Sequence, residues 1–169
     1  MTPVRLVPLN VDHLSHVMTW VNDMEVMQYF AQRQTRIEEE EEKRYLESLI
    51  ASKTDRVFSV FTGEGDEYVG QCSVNQIYWP AKNGRVFLVV TKSMQGRGFG
   101  PQMLDGLIER AFGEMDLHKL WLIVRRDNRR AQAMYLRAGF EFEGTLRDEY
   151  CVKGKFFDMV RMGILREPR

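Results

Sequence analysis

The sequence predicts an α/β fold with a mixed central sheet of about seven strands and about four helices. In four segments, apolar residues recur at the three- and four-residue steps of one helix face. Seven other segments are short apolar or alternating runs bounded by turn residues, a pattern typical of strands. Their order along the chain is β-α-α-β-β-β-α-β-α-β-β, which places a crossover helix at the centre of the sheet.

The first 51 residues predict one strand and two helices. Apolar residues at 4, 6 and 9 around Pro8 indicate the strand, and Asn10 or Asp12 can cap the helix that follows. A second helix is expected over about 37–51. The apolar positions expected to face the core from these two helices are Leu14, Val17, Met18, Val21, Tyr45, Leu46, Leu49 and Ile50.

Strand patterns dominate from residue 56 to residue 90. Runs at 57–61, 68–78 and 86–90 are rich in β-branched and aromatic residues. A turn sequence at 63–66 separates the first two runs, and Asn83-Gly84 predicts a turn before the third. We therefore expect three successive strands in a meander.

Helices and strands alternate in the second half of the chain. The first of these helices is strongly amphipathic, with apolar residues recurring from Met103 to Met115. Gly139 is expected to end the second helix. The predicted elements are a helix opened by 96–100, a strand over 119–125, a helix over 128–138, and a closing hairpin of 140–150 and 156–165 about Lys153-Gly154.

The composition is that of a globular chain with enough residues for a core. Of 169 residues, 44% are hydrophobic and 28% are charged, which excludes a disordered or fibrous chain. No shift in composition suggests a linker, so we expect a single domain over 1–169. The 24 basic residues balance the 24 acidic ones, and such neutrality gives no whole-molecule field for nucleic acid or an anionic membrane.

The sequence also gives no sign of a membrane segment, a secretion signal or a metal site. Apolar stretches such as 86–90 are far shorter than the roughly 20 residues that span a bilayer. Residues 1–10 lack the apolar block of a signal peptide, so a cytoplasmic location is expected. Cys72 and Cys151 form no CxxC pair, and both are interpreted as free thiols in strands.

The first candidate functional segment is Gln95-Gly96-Arg97-Gly98-Phe99-Gly100, between an apolar strand and an amphipathic helix. A helix N-terminus collects unpaired amides and partial positive charge, and it therefore binds phosphate. The glycines let the backbone wrap an anion, and Arg97 can add a charge. The GxGxG spacing matches neither a Walker A loop nor the dinucleotide fingerprint. We predict a pyrophosphate ligand, with a glycine-rich helix start that binds nothing as the alternative.

A second motif follows after one helix and one strand. The pattern N-x-x-A-x-x-x-Y-x-x-x-G-F is formed by Asn128, Ala131, Tyr135, Gly139 and Phe140. The pattern Q/R-x-x-G-x-G/A is formed by Gln95, Gly98 and Gly100. With both motifs in this order, the chain resembles the GNAT superfamily of acetyl-CoA-dependent N-acetyltransferases. The likeness extends from Val4 to Leu165, and the C-terminal half is similar to the spermidine and ribosomal-protein N-terminal acetyltransferase branches.

The resemblance implies a role for each part of these motifs. It implies that 95–100 hold the pyrophosphate of acetyl-CoA, the co-substrate, and that Asn128 steadies it. The sheet would splay between strands 4 and 5 to admit the pantetheine arm. The resemblance also implies that the backbone of Leu88, Val89 and Val90 pairs with this arm and meets the developing oxyanion.

Tyr135 has two interpretations at this stage. Without the resemblance, it is a core aromatic on the face of Ala131, Met134 and Ala138. With the resemblance, it falls where the family commonly places a tyrosine that protonates the departing thiolate. No base is assigned, because no histidine is placed for that role. Glu143 and Glu149 are candidates only as exposed carboxylates on a strand.

The implied reaction is direct attack of a primary amine on acetyl-CoA. We expect the acceptor to be a peptide or protein N-terminus or a small amino compound. One alternative is a polyamine acetyltransferase, and another is a non-catalytic module that binds acetyl-CoA. Superfamily members are often dimers or larger, so the resemblance also allows a homo-oligomer.

Two observations bear on the polyamine alternative. The glutamate run 38–42 invites it, but five consecutive helical residues point around more than one turn, so most are expected to be solvated. The polyamine branch tends to place acidic residues after the equivalent of Tyr29-Phe30 and on the fourth strand. This chain has Ala31, Gln32, Arg33 and Arg85 at those places.

Overall fold

The computed structural model describes residues 1–30 and 35–167 and confirms the predicted α/β architecture. The strands are β1 (Val4–Pro8), β2 (Arg56–Thr62), β3 (Tyr68–Tyr78), β4 (Asn83–Val90), β5 (Lys119–Arg125), β6 (Glu141–Val152) and β7 (Lys155–Leu165). The helices are α1 (Leu14–Met18), α2 (Glu39–Ala51), α3 (Phe99–Phe112) and α4 (Arg129–Arg137), with single 3₁₀ turns at 11–13, 79–81 and 92–94.

All seven strands form one sheet in the order β1-β2-β3-β4-β5-β7-β6. Neighbouring strands are antiparallel except β4 and β5, which α3 connects as a parallel pair. Only three residue pairs join β4 to β5, from Asn83 opposite Lys119 to Arg85 opposite Trp121. Beyond Arg85 the two strands separate. The predicted splay between strands 4 and 5 is therefore present as a wedge that opens toward the N-terminus of α3.

The sheet buries a different cluster on each face, because successive side chains of a strand point to opposite sides. On one face, α3 and α4 pack on the sheet through residues such as Leu104, Leu107 and Tyr135. On the other face, Val17 of α1 and Leu46 of α2 pack against Val89 of β4. The wedge lies between these two layers, so it is open to both faces of the sheet.

The first helix is shorter than predicted. It ends at Met18, and Val21 lies in a turn rather than on the helix. Beyond Met18, three-residue turn bonds mix with the helical pattern: the Trp20 amide donates to the Val17 carbonyl, as the Val21 amide also does, and the Thr19 hydroxyl donates to the His16 carbonyl.

Asn83 and Gly84, predicted as a turn, instead begin β4 and pair with the first two residues of β5. A Cβ on Gly84 would lie 2.3 Å from Cγ1 of Val74, so glycine is required there for sheet packing. The chain reverses earlier, at 79–82, where Lys82 has a φ of 50°.

The buried side of α2 is narrower than the predicted apolar stripe. Tyr45 and Ile50 are 56% and 49% exposed, whereas Leu46 is buried. Glu42 lies one turn before Leu46 on the same face, and it is only 4% exposed. Residues 38–40 of the glutamate run are exposed, as expected for most of that run.

Both cysteines are free thiols in strands, as predicted, with Cys72 buried and Cys151 exposed. Within residues 1–30 and 35–167, no helix has the length and apolar character needed to cross a membrane. The same residues contain no group of three or more His, Cys, Asp or Glu arranged to hold a metal ion.

Candidate active site

The glycine loop at 95–100 presents backbone amides in front of α3. Gly96 and Gly98 adopt φ values of 75° and 80°, a left-handed conformation that L side chains rarely adopt. Gly98 is the N-cap of α3 and has no side chain with which to bond the first helical amides. The amides of 96–98 make no well-formed hydrogen bond with any other described residue. The loop therefore offers several unpaired donors to an anion.

Two arginines lie near this loop, but they face different surroundings. The guanidinium of Arg130 lies 4.0 Å from the place that a Cβ on Gly96 would occupy. Arg97, predicted to add a charge at the loop, instead donates to Sδ of Met94 at 3.0 Å and packs over the Phe99 ring. The start of α4 therefore places a formal charge close to Gly96.

A cavity of about 410 Å³ joins this loop to the wedge between β4 and β5. It is lined by ten of the eleven predicted site residues: Leu88, Val89, Val90, Gln95, Gly96, Gly98, Phe99, Gly100, Asn128 and Tyr135. Arg97 is the predicted residue that the structure does not bring to this wall. A volume of this size and a largely apolar wall are typical of small-molecule sites.

The start of α4 positions Tyr135. The Asn128 side chain caps the helix by accepting the Ala131 amide at 3.2 Å. One turn further, the buried Gln132 amide donates to the carbonyls of Arg125 and Arg126, at 3.1 and 2.9 Å. These bonds fasten α4 to the end of β5. The side chain of Tyr135 is therefore held at a fixed place on the cavity wall.

The Tyr135 phenol lies in an apolar environment. The side chain is 9% exposed, and its ring meets that of Phe140 edge to face, with centroids 5.6 Å apart. Burial disfavours the phenolate and raises the pKa of Tyr135 to about 12. The hydroxyl therefore keeps its proton at neutral pH.

Several further residues line the cavity on the α1/α2 face of the sheet, and no sequence motif predicted them as site residues. They are Tyr29, Phe30, Arg85, Phe87, Arg125 and Tyr150. Arg85 donates to the Tyr150 hydroxyl at 3.2 Å. Arg125 donates to the Gln28 carbonyl at 3.0 Å and packs between the rings of Tyr29 and Phe157. The sequence signals for this side were the aromatic segment 28–30 and Arg85, which stands where the polyamine branch tends to place an acidic residue.

No general base is evident among the described lining residues. They include no histidine, and their one carboxylate, Glu25, is exposed and lies 2.8 Å from Lys92. Glu143, a candidate from the sequence, accepts from Lys119 and Arg161, which lower its pKa. It also lies outside the cavity wall.

The comparisons with known proteins agree with this arrangement. Residues 4–141 match the family described as the Acetyltransferase (GNAT) domain, which spans most of the chain. The chain belongs to the GNAT acetyltransferase family. The predicted activity of an acetyl-CoA-dependent N-acetyltransferase is thereby confirmed at the level of the family.

Relatives of this GNAT acetyltransferase include enzymes named for polyamines. The spermidine N(1)-acetyltransferase of Escherichia coli (strain K12) is 26% identical over 164 residues, which cover 96% of this chain and 86% of the relative. The spermidine N(1)-acetyltransferase of Vibrio cholerae is 26% identical over 145 residues, covering 86% of this chain and 83% of the relative.

A solved structure has a similar fold. The crystal structure of spermidine N-acetyltransferase from Vibrio cholerae in complex with CoA and spermine superposes with a TM-score of 0.90. Its sequence identity is 23%, and the match covers 96% of this chain and 95% of that chain. This likeness confirms the predicted GNAT fold.

Proposed function

We propose that this GNAT acetyltransferase acetylates a primary amine of low pKa, such as the N-terminal α-amine of a peptide or protein or a small amino compound. The observation that carries the proposal is the single cavity at the wedge. It contains the protonated phenol of Tyr135 and, among the residues that the structure describes, unpaired amides of the glycine loop and an acceptor side with no available base.

The donor side fits the diphosphate and the thiol arm of acetyl-CoA, which supplies the acetyl group as a thioester. The amides of 96–98 and the guanidinium of Arg130 suit the diphosphate. The backbone of Leu88, Val89 and Val90 lies beyond the last residue pair between β4 and β5. Polar groups on that free edge can accept and donate hydrogen bonds to an extended arm.

Tyr135 supplies the proton that the reaction needs on its leaving group. As the amine nitrogen bonds to the acetyl carbon, the carbon–sulfur bond breaks and leaves a thiolate. The phenol donates its proton to this sulfur, and the proton lost by the amine passes through water and restores the phenol. A buried hydroxyl with a raised pKa remains protonated until the thiolate forms.

The absence of an available base among the described lining residues favours an acceptor that is already partly neutral. A peptide α-amine has a pKa of about 7.7–8.0, whereas a lysine-type amine has a pKa of about 10.4. At neutral pH, the neutral fraction of the α-amine is several hundred times larger on this scale. Such an acceptor needs little help in losing its proton.

Polyamine acetylation is the second candidate, and the names of the relatives favour it. The charge of the cavity does not favour it, since the lining residues include four arginines and one glutamate. A polycation would meet Arg85 and Arg125 on the α1/α2 face. Ala31, Gln32 and Arg33, which also depart from the polyamine pattern, lie outside the described residues.

Steady-state kinetics with an amine panel test the proposal. The panel contains C-terminally amidated peptides with free N-termini, N-acetylated peptides that contain lysine, spermidine and spermine, and release of the coenzyme A thiol is the readout. We expect the free N-terminal peptides to give the highest kcat/KM. A higher kcat/KM for spermidine would favour the second candidate, and no thiol release with any amine would favour a binding module.

A further inference from the structure

Arg85 lies where the two strands of the wedge separate. The paired segment of β4 and β5 ends at Arg85 and Trp121. Because side chains alternate along a strand, Arg85 shares a face of β4 with Phe87 and Val89, which pack toward α1 and α2. Arg85 therefore lies at the apex of the wedge, on the opposite face from α3 and Tyr135.

The guanidinium of Arg85 is held by groups that leave its charge intact. It donates one hydrogen bond to the Tyr150 hydroxyl at 3.2 Å, and it packs 5.8 Å from the ring centroid of Trp121. A hydroxyl and an aromatic face orient a guanidinium without neutralising it. A guanidinium has five N–H donors, so most of those on Arg85 are still available to a ligand.

Other arginines nearby have carboxylate partners. Arg125, on the same side of the cavity, donates to both oxygens of Asp127 at 3.0 and 2.7 Å. Arg161 packs 4.1 Å from the Trp121 ring centroid and lies 3.4 Å from Glu143. These carboxylates neutralise the two guanidinium groups.

Arg85 is different. Among residues 1–30 and 35–167, no carboxylate lies within ion-pair distance of it, although it is half-buried and lines the cavity. A partly desolvated charge without a partner is costly, and an oppositely charged group in the cavity offsets this cost. The planar fork of a guanidinium is suited to a carboxylate, which it can bind through two parallel hydrogen bonds.

We infer that Arg85 is a specificity residue that binds a carboxylate on the acceptor, so the preferred acceptor is an amine that also carries a carboxylate. This inference rests on the proposed function and names the substrate class within it. Two kinds of acceptor carry such a carboxylate. One is a peptide whose N-terminal residue has an acidic side chain, and the other is a very short peptide with a free terminal carboxylate. Tyr150 positions Arg85 through its hydroxyl.

Matched acceptors test the inference. Glu-Ala-Ala amide and Gln-Ala-Ala amide differ only in a side-chain carboxylate, and Ala-Ala-Ala with a free or amidated C-terminus differs only in a terminal one. We expect kcat/KM for the carboxylate member of at least one pair to be about 10- to 100-fold higher, the range expected for a charge-assisted hydrogen bond. The pair that shows this ratio identifies the source of the carboxylate.

The variant Arg85→Gln should reduce that ratio to near one, and Arg85→Lys should retain part of it, because lysine keeps the charge but loses the fork. Arg161→Gln is the matched control, since Arg161 packs on the same ring but has Glu143 as its partner. The control should keep the ratio of the unchanged enzyme. Equal kcat/KM within both pairs, or a ratio that survives Arg85→Gln, would overturn the inference.

A binding measurement separates this inference from the proposed function. With coenzyme A bound, the N-acetylated form of each peptide is titrated by calorimetry into the unchanged enzyme and Arg85→Gln. Tighter binding of the carboxylate form that is lost in the variant supports the role of Arg85, even if no amine releases thiol. Equal affinities refute it, even if thiol release with uncharged amines supports the proposed function.

Discussion

Burial determines what the Tyr135 side chain can do. Its ring contacts that of Phe140. None of the described residues forms a hydrogen bond with its hydroxyl. A core aromatic and a proton donor are therefore compatible interpretations of one residue. The apolar surroundings that stabilise the ring in the core are the same ones that raise its pKa.

Replacing Tyr135 with phenylalanine removes the proposed proton donor and keeps the ring. We expect Tyr135→Phe to lower kcat by about 10²–10³-fold, the range of a general acid, with nearly unchanged affinity for coenzyme A. Thiol release and calorimetry measure the two effects. Tyr78→Phe, at an exposed tyrosine outside the cavity, is the control. Tight binding without turnover in both the variant and the unchanged enzyme would indicate a non-catalytic module.

The raised pKa of Tyr135 also predicts the pH profile. A phenol whose pKa is about 12 stays protonated, and therefore active as an acid, well above pH 10. With a peptide N-terminus as acceptor, kcat/KM should rise with pH through the pKa of the amine, near 8, become level at about pH 9, and stay level to about pH 10. An N-acetylated lysine acceptor should shift the rise upward by about two and a half pH units. A decrease in rate between pH 8 and pH 10 would contradict the assignment.

The cavity residues that the sequence did not predict share one physical property. Arg85, Arg125 and Tyr150 are polar or amphipathic residues on strands, a type that is usually solvated. Their convergence on one cavity depends on the pairing of strands that are far apart in sequence. A local pattern contains no information about that pairing. The glycine loop and Asn128, by contrast, lie at the N-termini of their own helices, so the local motif alone predicted their place on the cavity wall.

At the level of elements, prediction was accurate where the amphipathic pattern is long. The 14-residue helix α3 and the strands of the closing hairpin follow the periodic runs in the sequence. The short helix α1, with five residues, is too brief for its period to indicate where it ends. The beginning of β4 was missed because Asn83-Gly84 is a turn sequence locally, and only its pairing with β5 makes it a strand.

The glycine loop and α3 form the element that we propose binds the diphosphate, and Gly98 is its most constrained position. A side chain there would be strained at a φ of 80° and would meet Met1 at 3.3 Å. We expect Gly98→Val to weaken coenzyme A binding by at least about tenfold, because the shifted backbone misdirects the amides. Calorimetry measures the affinity.

A matched variant separates loss of the site from loss of stability. Gly154 in the β6–β7 turn has a φ of 76° and open space around it. Gly154→Val therefore carries similar backbone strain far from the loop, and it should lower the melting temperature without weakening coenzyme A binding. Equal losses of affinity in Gly98→Val and Gly154→Val would show that the loop has no special role.

Across the whole molecule, the wedge is where the two parts of the sheet are joined most weakly. β4 and β5 share three residue pairs, whereas β5 and β7 share seven. The cavity wall combines β4 and the glycine loop on one side of the wedge with β5 and α4 on the other. A ligand that fills the cavity therefore adds contacts across the wedge, where β4 and β5 are not paired.

Coenzyme A should accordingly stabilise the folded chain as a whole. At a free concentration about 100 times its Kd, a ligand that binds only the folded state contributes about 2.7 kcal/mol. For a chain of this size, that free energy corresponds to a rise in melting temperature of about 5–11 °C. Differential scanning calorimetry measures the shift.

Pantetheine at the same concentration lacks the diphosphate for the loop amides and should give a smaller shift. If coenzyme A raises the melting temperature no more than pantetheine does, the glycine loop does not hold the diphosphate. The stabilisation then comes only from contacts of the pantetheine arm across the wedge.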